Sequence, residues 1–202
     1  MIKFVRSLHL FPTKHQINLK WIPTSSILNM VIPKYFKKFS RNFSLDSVSG
    51  EWDKATVPLE FHPKAIYCRS RWQSGLDWKQ TIALSYYRKM ISNYGSFDKC
   101  TNDETVLKRL NDLDYVFSSI QGNGALKTRF ELSLTKNSQD ETGGIYVHFD
   151  RNGDPIFAGG GWHRLMIAKI LEIKLIPIQI GLVHKSFLQN IDLKGWITSN
   201  NY

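Results

Sequence analysis

Three consecutive glycines, Gly159, Gly160 and Gly161, lead straight into Trp162, His163 and Arg164 at the start of an apolar-periodic segment. Glycine lets the backbone take positive φ and approach a ligand closely, and the first N–H groups of a helix point outward without intrahelical partners. That combination predicts an anion site. Arg164 adds a planar guanidinium fork matched to phosphate oxygens, and an arginine in a first helical turn opposes the helix dipole unless an anion offsets it. His163 titrates near neutrality and is a candidate for phosphate contact or proton transfer. Trp162 presents a broad apolar face that either stacks on a base or packs in the core.

Phosphate chemistry also asks for a carboxylate, to activate a hydroxyl or water or to hold Mg²⁺. Glu51 and Asp53, in the turn-like Gly50-Glu51-Trp52-Asp53, rank first. Asp150 and Asp154 flank an Asn-Gly turn, and their ordinary reading is as turn residues. His148 and His184 lie beside strands, where a single histidine is usually structural. Cys68 and Cys100 have neither CxxC nor Cys/His spacing, so the sequence indicates neither a zinc knuckle nor a disulfide framework, and both read as buried or incidental thiols.

The elements that position these residues are clearest in the last third. Ile145–Phe149 is predicted as a strand, Asp150–Asp154 as a turn and Pro155–Ala158 as a returning strand. The glycine loop then opens a helix over Trp162–Leu171 with Leu165, Ile167, Ala168 and Leu171 inward, and Ile176–Val183 returns as a strand. Upstream, Trp78–Tyr94 and about Asp103–Gln121 carry helix periodicity, the second with Thr101 or Asn102 as cap and Gly122-Asn123-Gly124 as stop. Residues 135–144 read as a polar loop, and 50–75 as loops with one short strand.

The 202 residues are 42% hydrophobic and carry a formal charge of +10. The basic excess is concentrated in the first fifty residues, where Lys3, Arg6, Lys14, Lys20, Lys34, Lys37, Lys38 and Arg41 face only Asp46. Aromatics interleave with them, so this arm either binds a nucleic-acid backbone with stacked bases or packs on the domain with its lysines solvated, the commoner outcome. The division expected is a basic aromatic arm over 1–49, an irregular and helical region over 50–100 and a core domain over 101–202. No apolar run approaches the ~20 residues of a membrane span and no signal peptide is evident, so a cytoplasmic protein is expected.

The pattern Gly161-x-His163-Arg164-Leu165-x-x-Ala168-Lys169-x-Leu171, followed by Ile176-Pro177-Ile178-x-Ile180, resembles the ParB/sulfiredoxin superfamily of ParB-like nuclease domains. Phe117-Ser118-Ser119-Ile120-Gln121-x-x-Gly124 is similar to the segment that precedes that family's central strand, so the resemblance spans about Val106–Val183. Gly50-Glu51-Trp52-Asp53, Gly75-x-x-Trp78 and Val183-His184 look like an uncharacterised prokaryotic subfamily and extend it over most of the chain.

The resemblance implies an α+β fold, a small mixed-sheet domain with a helical insertion before the core. It also implies a nucleotide, ATP or CTP, accompanied by Mg²⁺ and held at Gly159, Gly160, Gly161, Trp162, His163 and Arg164. Sulfiredoxins carry their reactive cysteine where this chain has Trp162, which excludes sulfinic acid reduction. The DNA-segregation members carry a helical DNA-binding domain after the core, and this chain has about twenty residues after its last strand. The expected function is nucleotide binding with phosphotransfer or hydrolysis. Its alternatives are a nucleic-acid-binding protein or nuclease, and a domain that binds without chemistry.

Overall fold

The computed structural model describes residues 6–9, 18–32, 46–132, 141 and 143–199. Within them the strands are β1 (Arg6–His9), β2 (Leu19–Pro23), β3 (Asn29–Val31), β4 (Asp46–Val48), β5 (Thr56–Pro58), β6 (Ile145–Phe149), β7 (Pro155–Phe157) and β8 (Leu175–His184). The helices are α1 (Pro63–Trp72), α2 (Ala83–Tyr94), α3 (Asp103–Asn123), α4 (Trp162–Ile170) and two short ones near the end, α5 (Lys185–Leu188) and α6 (Leu193–Thr198). The result is a mixed α+β chain built on one mixed, open sheet in the order β1-β4-β8-β6-β7-β3-β5, with β2 also paired to β8.

β8 is the spine because its Leu175–His184 run, rich in Ile and Val, is buried along nearly its whole length. One side pairs in parallel with β6, Ile145 opposite Ile178 and Val147 opposite Ile180. The other side takes β2 antiparallel along Leu175–Gln179 and β4 in parallel at Val183 and His184. β6 and β7 form the expected antiparallel hairpin across Asp150–Asp154, where Asp150 Oδ1 accepts from the N–H groups of Asn152 and Asp154, both at 2.8 Å. The turn reading of Asp150 thus holds, through an Asx-type bond.

The expected arm over 1–49 requires correction where it is described. β2 and β3 are sheet strands, and Ile22, Ile27 and Met30 lie in the same hydrophobic cluster as Leu165 and Ile178. Lys20, expected at a solvated or nucleic-acid-facing position, is buried and donates to the carbonyl oxygens of Trp196 and Ser199. Phe11, Lys14, Lys34, Lys37, Lys38 and Arg41 lie outside the described residues, as does most of the loop expected over 135–144. The same cluster contains Leu59, Tyr67 and Tyr87, so the 50–100 region shares one core with the 101–202 segment.

The helices begin where local chemistry places them. Asn102 and Thr105 form a reciprocal capping box at the start of α3, and Gly124, at φ 67°, closes it in the left-handed conformation. α2 is shorter than expected, because Trp78–Gln80 forms a separate 3₁₀ turn capped by Asp77. α1 fills what the sequence suggests is loop, starting at Pro63 with His62 Nδ1 accepting from the Lys64 N–H. Asp114 ties α1 to α3, taking the Arg71 fork and the indole N–H groups of Trp72 and Trp78. Among the described residues no helix is long and apolar enough to cross a membrane.

Candidate functional site

The glycine loop is built by close backbone approach. Leaving β7, Ala158 N–H donates to Tyr146 O at 2.8 Å, and Gly160 O accepts from Tyr146 N–H at 3.1 Å. Gly161 sits at φ 74°, and a Cβ there would lie 2.7 Å from Gly144 O and 2.8 Å from Ile145 Cα, so only glycine fits by both conformation and space. Gly161 is also the N-cap of α4, where no side chain accepts from the first turn. The other long helices differ: His62 caps α1, Thr81 Oγ1 accepts from Ala83 N–H at the start of α2, and Asn102 caps α3. The first turn of α4 therefore presents backbone donors and the positive dipole end without an internal side-chain acceptor.

Arg164 is partly spent within the chain. Its Nη1 lies 3.2 Å from Oε1 of the fully buried Glu141, and its Nη2 donates to Lys127 O. Glu141 Oε2 accepts from Arg129 N–H at 2.8 Å. Burial raises the Glu141 carboxyl pKa, against the pull of these donors and of Arg164. Trp162 belongs to the core: it stacks on His62 at 4.1 Å between ring centres and meets Phe157 edge-on at 4.6 Å. Of its two sequence readings, the packing one is realised.

Arg164 also lines a cleft of about 340 Å³ between the C-terminal half of α3 and the segment after it. Val116, Ile120, Leu126 and Leu132 supply its apolar wall, and Ser119 its polar edge. Two segments that are 44 residues apart by number, Ser119-Ile120 and the Arg164 turn, thus meet at one cavity. Such a cavity, apolar with a few convergent polar groups, is the usual form of a small-molecule site.

His163 faces a different environment, one that its sequence neighbours do not disclose. Its Nε2 lies 2.8 Å from Tyr67 Oη. The Tyr67 ring packs against Tyr87 with centres 6.4 Å apart, Tyr87 Oη donates to Asp98 Oδ2 at 3.1 Å, and Lys64 Nζ donates to the same oxygen at 2.5 Å. The Tyr87 proton goes to the carboxylate, and the Tyr67 hydroxyl and His163 Nε2 share one proton between them.

Burial, reinforced by Lys64 and opposed by Asp98, pushes the His163 pKa down to about 3, so the ring is neutral at physiological pH. Burial also raises both tyrosines and lowers Lys64. At Asp98 burial pushes upward, but Lys64 and the Tyr87 hydroxyl outweigh it and hold the carboxyl below its ordinary value.

Glu51 and Asp53 are held elsewhere. Asp53 receives a two-pronged bond from Arg151, Nε to Oδ2 at 2.7 Å and Nη2 to Oδ1 at 2.8 Å, and Glu51 Oε1 lies 3.1 Å from the same guanidinium. Burial pushes Asp53 upward, but these bonds outweigh it and hold the carboxyl below its usual range. His184 Nε2 lies 2.9 Å from Gly50 O, and Trp52 is buried against His148 and His184. Gly50-Glu51-Trp52-Asp53 and Val183-His184 therefore do converge, together with Arg151, at the C-terminal ends of β4, β6 and β8.

The glycine loop is at the other end of β6, roughly 13 Å away at strand rise. The pairing of Glu51 or Asp53 with His163 and Arg164 on one phosphate is thus not realised. Nor do these carboxylates supply a Mg²⁺ ligand beside the loop, and among the described residues no group of three or more His, Cys, Asp or Glu could hold a metal ion.

Comparison with protein-family models, with curated proteins and with solved structures found no match for this chain.

Proposed function

We propose that this protein binds a nucleoside triphosphate, ATP or CTP, with its phosphates at the Gly159–Gly161 loop and the first turn of α4 and its base in the apolar cleft beside Arg164. The observation that carries this reading is the meeting of Ser119-Ile120 and Arg164 at one cavity. Those are the segments on which the resemblance to the ParB/sulfiredoxin superfamily rests, and we assign the fold to that type on the same ground. The uncapped helix start supplies backbone donors for the phosphates. Arg164, anchored by Glu141, keeps a fixed guanidinium at the cleft wall.

Turnover in this reading is direct: the oxygen of an acceptor hydroxyl or water bonds to the terminal phosphorus, and its proton passes to the transferred phosphate or to solvent. His163, its pKa pushed down to about 3 by burial, is too weak a base to take it. The bond from phosphorus to the bridging oxygen breaks, and the electron pair leaves with the nucleoside diphosphate. Mg²⁺, where required, arrives with the phosphates.

Calorimetry of the intact chain with ATP and with CTP, with and without Mg²⁺, tests the assignment. Saturable binding to one of them is expected, with loss in Ser119→Trp, which fills the cleft from an exposed position and leaves the core intact. Equal binding by Ser119→Trp, or none by the wild-type chain, refutes it.

A further inference from the structure

A second cleft, of about 590 Å³, opens at the other end of α3, lined by Asp98, Lys99, Cys100, Thr105, Lys108, Arg109 and Asp112. Thr105, Lys108, Arg109 and Asp112 recur at the spacing of one helix face. Opposite them, Phe97 and Cys100 exchange backbone hydrogen bonds of 2.9 and 2.8 Å across Asp98 and Lys99. Both central residues have positive φ, 48° and 67°, where such a turn ordinarily takes Asn-Gly. A lysine in that conformation is strained, and strain of this kind collects at binding sites.

The charges here are unbalanced in one direction. Asp98 is already matched by Lys64, which leaves Lys99, Lys108 and Arg109 against Asp112 alone. The arginine stands out. Arg69 donates to Glu60 O, and Arg71, Arg88, Arg151 and Arg164 each hold a carboxylate of the chain. Arg109 has no such acceptor among the described residues, and its Nε–H, shielded from water, has no partner there either; Arg129 Nε shares that condition away from this cleft. A shielded donor without an acceptor is costly, and an oxyanion drawn into the cleft would relieve it.

We infer that this cleft is a second anion site, independent of the glycine loop, that takes a small phosphate-bearing molecule on Arg109, Lys108 and Lys99. The bidentate fork of Arg109 selects a tetrahedral oxyanion over a single-point anion. Because Asp98 and Arg109 both line the cleft and both act on His163 by charge, an anion bound here is felt at His163.

Inorganic pyrophosphate added to the full chain, followed by calorimetry and by amide NMR, tests the site. Binding that shifts the amides of residues 98–112 is expected, with affinity falling at least tenfold in Arg109→Gln and several-fold in Lys108→Gln, while Arg109→Lys recovers part of it. Arg109→Gln is expected to melt like wild type, since the side chain holds no internal acceptor; Lys108 is exposed and gives the same readout should Arg109→Gln unfold. Ser119→Trp, which fills the proposed nucleotide cleft, must leave pyrophosphate binding intact. Shifts confined to residues 159–164, affinity unchanged in Arg109→Gln and Lys108→Gln, or no binding by wild type each overturns the inference.

Discussion

Replacing Tyr67 by Phe removes one oxygen and keeps a fully buried ring, so it isolates the hydrogen bond to His163 from the packing around it. His163 Nε2 then loses its hydrogen-bond partner inside the protein, at a cost of about 1–3 kcal/mol for a buried polar atom left unpaired. Tyr87 keeps its bond to Asp98. The ring contacts with Trp78 and Tyr86 persist. A net loss of about 2 kcal/mol is expected from urea unfolding, read as a lower midpoint at unchanged slope.

Two further readouts separate this from generic damage. Nitrogen NMR of His163 should show one tautomer in wild type, held by the bond to Tyr67, and a mixture of the two in the variant. The double variant Tyr67→Phe/Tyr87→Phe should depart from the sum of the singles, because the two rings are in contact. A loss under about 0.5 kcal/mol with the tautomer unchanged, well below the cost of a stranded polar atom, would show that the bond to Tyr67 does not orient His163.

Arg164→Ala strands the buried Glu141 carboxylate and should cost about 3–5 kcal/mol, whereas Arg164→Met with Glu141→Gln should cost much less; chemical unfolding of both distinguishes an ion pair from simple packing. Acid sensitivity should begin near neutrality. His163 and His148 are pushed down to about 3 and His62 to about 4, each chiefly by burial, so the unfolded chain takes up protons that the folded chain refuses. Folded values below the unfolded one place this stability above pH ~6.5, and it is lost progressively as pH falls toward 4, by up to ~1.4 kcal/mol per unit for each ring. Melting temperature against pH checks this, and a flat profile from 7 to 5 would contradict it.

Much of the fold was legible where signals are local. The Ile145–Phe149 strand, the Asn-Gly turn, the Asn102 cap with the Gly124 stop and the α4 periodicity all lie within a few residues of their cause. Helix α1 was not, because its buried face, Lys64, Ala65, Tyr67 and Cys68, includes a lysine, and only Pro63 at the first helical position marks it. β3 and β5 are three residues each, too short for alternation to register.

The site divided in the same manner. The glycines declare themselves, but the partners of His163 are distant in sequence: Tyr67 is 96 residues away, and Tyr87 and Asp98 are joined only by side-chain bonds. Periodicity places the Tyr87 ring in the core and says nothing of its hydroxyl. Lys64 and Asp98, an ion pair across 34 residues, leave no local pattern.

The central claim is that the first turn of α4 holds phosphate. Amide NMR of the intact chain during titration with ATP or CTP in the presence of Mg²⁺ tests it most directly. Saturable downfield shifts of the Trp162, His163 and Arg164 N–H resonances, with Ser119 and Ile120 moving in step, are predicted. Unmoved amides at residues 159–164 under saturating nucleotide would contradict it.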